Sequence, residues 1–246
     1  VTPLIIAHRG DSAHRPENTL ASFQSALEVG AEILEMDVQL TRDGHVVVIH
    51  DPTVDRTTSG QGAVAGFDLA ALRALSAGYP ERFGTRYSGE RVPTLAEALA
   101  FLRGRARLMI EIKTDSVTDD ALGGIEARTI AEIRRQEMSN ELVLISFDHR
   151  ALLRCKEQAP EIRRGHLFVN QEPAAAVAAC AEVGAMFAMP EKKMLSPGLK
   201  QMADAAGLKL ATWVVDDPEE LRALERFELH GVASNRPGVL LDAMAG

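Results

Sequence analysis

The sequence predicts an α/β protein folded as a single (β/α)8 barrel. Two observations carry this expectation. The chain has 246 residues, close to the ~250 of one such barrel and short for two ordinary domains. Short β-branched runs alternate along it with longer amphipathic segments, which implies parallel strands joined by crossover helices. No repeat, low-complexity tract or interdomain linker interrupts the rhythm, so residues 1–246 are expected to form one catalytic-sized domain.

Each element has a local reason. Leu4 to His8 reads as a strand. Asn18 or Thr19 caps a helix through Val29, and Gly30 stops it. Ile33 to Leu40 is the second strand, Asp43-Gly44 signals a hairpin turn, and Val46 to His50 returns beside it. With the turn centred on Asp43-Gly44, His50 is expected opposite Asp37. Residues 51–89 lack a period and are Gly-rich from Ser59 to Gly66, so they read as an insertion with only one short helix, Leu69 to Leu75. Thr94 caps a helix to Arg103, with Glu97 completing a capping box. Strands follow near 107–113, 142–146, 162–168, 185–189, 208–215 and 231–234, with helices near 120–137, 148–158, 172–183, 197–206 and 217–227. That is one strand more than a barrel needs, and the returning strand of the hairpin is the extra one.

Composition narrows the function classes. Hydrophobic residues make up 46% and charged residues 25%, a globular mix. The net charge of −8 argues against a general nucleic-acid binder. No apolar run reaches the ~18 residues of a membrane span; the longest, Pro173 to Pro190, is broken by Glu182 and Gly184. The opening VTPLIIAHRGD has no basic end, so no secretory leader is expected. Cys155 and Cys180 form no CxxC and fall in apolar helical patterns, which suits free thiols and a cytoplasmic location.

Three carboxylates carry the chemistry. Glu35 and Asp37 are two apart on one strand, and Glu111 and Lys113 are two apart at the end of another. The alternate positions Leu34, Met36, Val38, Ile110 and Ile112 are apolar and suit the helix layer, which turns the charged residues into the barrel. Inward charges at the carboxyl ends of barrel strands lie where barrel active sites lie. Carboxylates crowded there repel, and some stay protonated unless a cation sits among them. An all-oxygen set suits Mg²⁺ or Ca²⁺ better than zinc. His8 ends the first strand and His50 the hairpin, so both fall beside this site, placed for base attack and acid release. Arg9 and Lys113 add positive charge for an anion. The histidines at 14, 45, 149, 166 and 230 have no comparable company.

The chain resembles the glycerophosphodiester phosphodiesterase family. The resemblance rests on H8-R-G, P16-E-N-T, E35-M-D-V, the T41-R-D-G turn, H50-D51, D55-R-T-T, P93-T-L, E111-I-K, S146-F and Trp213, in that order over nearly the whole chain. It implies a phospholipase C-like TIM barrel that hydrolyses glycerophosphodiesters to glycerol 3-phosphate and an alcohol, using one divalent cation, Mg²⁺ or Ca²⁺. By position it implies metal ligands at Glu35, Asp37 and Glu111, an acid–base pair at His8 and His50, and phosphate contacts at Arg9 and Lys113. The 51–89 segment resembles the insertion that separates this family from phosphatidylinositol phospholipases. Two stretches depart from the pattern: VVDD follows Trp213 where a TVN-like run is common, and GVASNRPG carries Asn235 where aspartate is commoner. Both are expected to lie away from the metal set and to bear on loop contacts or alcohol preference.

Other matching residues have plainer expectations. Asn18 and Thr19 suit a helix cap. Glu17 suits either bracing of the loop after His8 or helping to hold the metal site, Arg56 and Thr57 suit fixing the insertion, and Trp213 suits either core packing or an apolar wall for glycerol carbons. The leading function is therefore a phosphodiesterase acting on a small glycerophosphodiester. Its alternatives are a phospholipase D-type hydrolase or lyase acting on lysolipids, and a barrel that binds without catalysis. An aromatic content of 4% and the acidic charge favour no stable membrane association.

Overall fold

The computed structural model describes residues 2–245; Val1 and Gly246, the ends of the expected domain, lie outside the described residues. Eight parallel strands close on themselves: β1 (Leu4–Ala7), β2 (Ile33–Leu40), β4 (Arg107–Ile112), β5 (Leu142–Ser146), β6 (Arg163–Phe168), β7 (Phe187–Pro190), β8 (Lys209–Thr212) and β9 (Gly231–Ser234). The spatial order β1-β9-β8-β7-β6-β5-β4-β2 is sealed by a β1–β2 pairing. The ninth strand, β3 (Val46–Val48), hangs antiparallel on β2 outside the ring.

Helices cover the ring, and their ends follow the capping chemistry of the sequence. Thr19 accepts from Ser22 N to open α1 (Leu20–Glu28), and Thr94 with Glu97 forms the capping box of α4 (Leu95–Leu102). Around the rest of the ring lie α5 (Ile125–Arg135), α6 (His149–Gln158), α7 (Pro173–Glu182), α8 (Pro197–Ala205) and α9 (Pro218–Leu224). A last helix, α10 (Pro237–Ala245), was not expected. Arg236-Pro237-Gly238 reads as a breaker, yet proline is favoured at the first helical position because its missing N–H would have no partner there. Leu240 anchors it in the helix-layer core.

The alternation of β2 and β4 sorts residues between two cores. Leu34, Met36, Val38, Leu108, Ile110 and Ile112 pack outward under the helices. Ile33 and Met109 point inward with Ile6, Ile145, Leu167, Met189 and Ala233. Glu35, Asp37 and Glu111 continue that inward face toward the carboxyl ends, and Asp37 pairs with Glu111 across adjacent strands.

The hairpin departs from expectation. Val38 pairs with Val48 and Leu40 with Val46, so Ile49, not His50, lies opposite Asp37, and the Ile49 N–H donates to the Asp37 carbonyl at 3.0 Å. The cause is the turn. Gly44 sits at φ +82° and its N–H donates to the Thr41 carbonyl, giving a three-residue loop, Arg42 to Gly44, in place of a two-residue one. The strand also ends at Val48 rather than His50. Beyond it, the insertion packs on Val47, Ile49 and Val92 with a small core of its own from Val54, Val64, Leu72 and Ala77. It carries two helices, α2 (Leu69–Ala74) and the one-turn α3 (Pro80–Phe83), where only one was expected.

Candidate active site

A cavity of about 270 Å³ opens at the carboxyl end of the barrel. His8, Arg9, Glu35, His50, Glu111, Lys113 and Trp213 line it. Asp37 lies just beneath, fully buried. The eight residues singled out from sequence are thus brought to one place.

The carboxylates form its floor. Glu35, Asp37 and Glu111 each offer an oxygen within 4.8 Å of the others. Glu35 Oε1 and Asp37 Oδ1 are buried without a hydrogen-bond partner, a costly state unless a ligand satisfies them. Burial pushes Glu35 well above the usual carboxylate range, and the charges of Asp37 and Glu111 add to the shift. Burial, then Asp37, likewise raises Glu111 to about 7. Asp37 moves the other way: against its burial, Arg9 and Lys113 hold it well below the usual range. Lys113 Nζ sits 2.6 Å from Glu111 Oε1 and 3.6 Å from Asp37 Oδ1. Arg9 Nε lies 3.1 Å from Asp37 Oδ2, and the Arg9 N–H donates to Glu35 Oε2 at 3.0 Å. That last bond depends on a turn in which Arg9 and Gly10 both take positive φ. At Gly10 a Cβ would fall 2.7 Å from the Ser22 carbonyl oxygen, so the glycine serves close packing against α1.

Each histidine is held by its Nδ1. His50 Nδ1 lies 2.6 Å from Asp51 Oδ1. Asp51 takes two bonds from Arg56, at 2.7 and 3.0 Å, and Arg56 gives two more to Glu17 at 2.8 Å. Glu17 in turn accepts from Arg9 at 2.9 Å. Arg56 therefore joins the loop carrying His50 to the loop carrying Arg9, where the sequence suggested only a role in fixing the insertion. His8 Nδ1 lies 2.7 Å from Asn235 Oδ1. Burial, with Arg9 nearby, lowers the His8 imidazole to about 4.

Two further expectations are corrected by contacts. Thr19 alone caps α1; Asn18 adopts φ +58°, donates to Asp37 Oδ2 at 2.8 Å and accepts from the Asp37 N–H, so it braces a carboxylate. Asn235, expected away from the metal set, touches the histidine above it.

The opposite wall is apolar and largely escaped notice in the sequence. It comprises Ile145, Phe147, Leu167, Met189, Val214 and Ala233. The inward parity of β5 was the available signal for Ile145 and Phe147. Trp213 joins this wall, packing edge-to-face on Phe147 at 5.5 Å and donating from Nε1 to the Met189 carbonyl at 3.0 Å.

Comparison with known proteins gives one consistent result. The sequence model of the Glycerophosphoryl diester phosphodiesterase family matches residues 8–239. A glycerophosphodiester phosphodiesterase of Caldanaerobacter subterraneus subsp. tengcongensis is 38% identical over 97% of this chain and 96% of its own. One from Bacillus subtilis is 30% identical over 95% of this chain and 84% of its own. The structure of an Oleispira antarctica phosphodiesterase in complex with the product sn-glycerol-3-phosphate superposes with a TM-score of 0.90, at 29% identity, over 100% of this chain and 98% of that one.

Proposed function

The chain belongs to the glycerophosphoryl diester phosphodiesterase family, and from that premise we propose that it cleaves glycerophosphodiesters to sn-glycerol 3-phosphate and an alcohol, with His8 and His50 moving the proton and Glu35, Asp37 and Glu111 holding one divalent cation. The observation that carries the reading is the pairing of a buried, under-bonded carboxylate trio with two imidazoles whose Nδ1 atoms are already committed. The whole chain acts as one catalytic unit in this proposal, with residues 51–89 as an insertion that supports His50.

The donor set fits a hard cation. All three groups are carboxylates, and two of their buried oxygens have no other partner. When bound, Mg²⁺ or Ca²⁺ supplies positive charge to the phosphate oxygens as negative charge grows there. The remaining work falls to side chains. Arg9 and Lys113 are the cations nearest the trio and meet the phosphate. Asp51 holds His50, and Asn235 holds His8, so each ring presents Nε2 for proton transfer. One imidazole deprotonates the nucleophile and the other protonates the leaving alkoxide. The nucleophile is either water or the neighbouring glycerol hydroxyl, and the second route passes through a cyclic phosphate. The apolar wall, with Trp213, shields the carbon skeleton from water.

The test is a product assay on glycerophosphocholine with and without EDTA. Release of glycerol 3-phosphate and choline, lost on chelation and restored by Mg²⁺ or Ca²⁺, is expected. Undiminished turnover by the chelated protein would remove the metal from the proposal. A lysolipid substrate run alongside decides the lipid alternative, which requires strong preference for the long acyl chain.

A further inference from the structure

We propose that Asp216 and Asn235 are positioning residues that lock the tautomer of His8; this rests on the reading of His8 as a proton-transfer group. The contacts form a chain in which each group leaves the next no choice. Asp216 Oδ1 accepts from the Ser234 hydroxyl at 3.0 Å and from the Asn235 backbone N–H at 2.7 Å. Asp216 Oδ2 then faces the Asn235 carboxamide at 2.8 Å. A carboxylate only accepts, so the amide must turn its NH2 group to Asp216. That leaves Asn235 Oδ1 toward His8 Nδ1 at 2.7 Å, with the Ser12 hydroxyl 3.0 Å away in the same corner. A carbonyl oxygen only accepts as well, so the proton of neutral His8 sits on Nδ1 and the lone pair on Nε2. His8 Nε2 is the atom that faces Glu35, at 3.9 Å. A carboxylate two groups away thus decides which ring nitrogen does chemistry.

The two positions carry complementary residues, aspartate at 216 and asparagine at 235. The hydrogen-bond pattern explains why they go together. With the residues exchanged, an amide at 216 still accepts from Ser234 and the backbone N–H, and donates to the carboxylate at 235. That carboxylate still accepts from His8 Nδ1. Either arrangement is complementary, whereas either single change is not. Asp216→Asn lets the neighbouring amide flip and offer an N–H to His8 Nδ1, moving the ring proton to Nε2. Asn235→Asp sets two carboxylates against each other across the 2.8 Å contact.

The experiment is a double-mutant cycle with His8→Ala as control. Asp216→Asn and Asn235→Asp should each lower kcat about 10- to 100-fold with KM little changed, the usual effect of removing an orienting partner. The double exchange should return kcat to within about fivefold of the parent, far above the product of the single losses. Thermal midpoints, measured for every variant, separate misfolding from mispositioning, and the near-isosteric Asp216→Asn keeps the cycle readable if Asn235→Asp is unstable. Long-range ¹H–¹⁵N correlation spectra read the tautomer without turnover: Nδ1–H in the parent and the double exchange, Nε2–H appearing in Asp216→Asn. Single losses that multiply, singles within twofold of the parent, or an Nε2–H parent would each overturn the proposal. Near-parent turnover by His8→Ala would instead overturn the catalytic reading of His8, and the spectra would still decide the tautomer.

Discussion

The two walls of the cavity are built on opposite principles. One, from β1, β2, β4 and the hairpin, is ionic: Arg9, Glu35, Asp37, Glu111 and Lys113 stand over a second layer made by Glu17, Asn18, Asp51 and Arg56. The other, from β5 to β9, presents apolar side chains to the cavity, with the Trp213 N–H bonded to the Met189 carbonyl. The ionic wall must be braced because buried charges tolerate no misplacement. The apolar wall needs shape and dryness, which many side chains supply. Changes to the side chains that line the first should therefore act on turnover, and changes to those that line the second on substrate preference.

The largest expected effect is on the histidines. His8→Ala and His50→Ala should each lower kcat by roughly 10²–10⁴-fold, with folding and metal binding retained. Because they share one step, the double variant should lose less than the product of the two. A nitrophenyl leaving group needs little protonation, so it should rescue the variant lacking the acid and leave the other impaired. Near-native rates in both single variants would place the proton transfer elsewhere.

Next comes pH. The folded-state pKa of Glu111 is raised from 4.5 to about 7, so between those values the folded protein holds a proton that the unfolded chain has lost. Relative to a Glu111→Gln variant, which lacks this proton but keeps the opposing shift of His8 to about 4, the metal-free protein should then lose stability as pH rises from about 4.5 through 7, by up to about 3 kcal/mol. Saturating Mg²⁺ or Ca²⁺ should flatten or reverse that slope, because the cation competes with the proton and binds best at high pH. A metal-free melting temperature that climbs across this window relative to Glu111→Gln would contradict the charge balance assigned to the ionic wall.

Arg56→Ala ranks third. It releases Asp51 and Glu17 together and should cost roughly 10- to 100-fold in kcat, as outer partners of a site do. A loss of thermal stability alone, with kcat intact, would return Arg56 to the purely structural role that the sequence suggested. The smallest effect should fall on Trp213→Leu, which is expected to raise KM about three- to tenfold, the worth of a partly lost apolar contact, with a change in ranking among alcohols and kcat nearly kept. A kcat collapse there would erase the distinction between the walls.

Legibility in the sequence follows the same divide. The inward set on β2 and β4 could be read because strict alternation separates Glu35 and Asp37 from Leu34, Met36 and Val38. The position of His50 was reached through a register one residue out, since Asp43-Gly44 suggests a tighter turn than the three-residue loop formed. His50 still arrives at the mouth because the strand ends early and the chain turns back, with Gln39 Nε2 donating to the His50 carbonyl at 3.0 Å. Asn18 looked like a cap because capping and bracing use the same residue type; only its positive φ separates them. The bond from His8 to Asn235 spans the closure of β1 on β9, and no local pattern announces a contact between the two ends of a chain.

Trp213 has one more consequence. It is the sole tryptophan among 246 residues, and its indole lies on the cavity wall with its N–H already bonded to the Met189 carbonyl. Intrinsic fluorescence excited at the red edge of protein absorption therefore comes from one spot a few ångströms from where substrate carbon would rest. Entry of a ligand, expulsion of water or a shift of Phe147 would each change that emission, so the protein carries its own optical reporter and occupancy of the pocket can be followed in real time without a label.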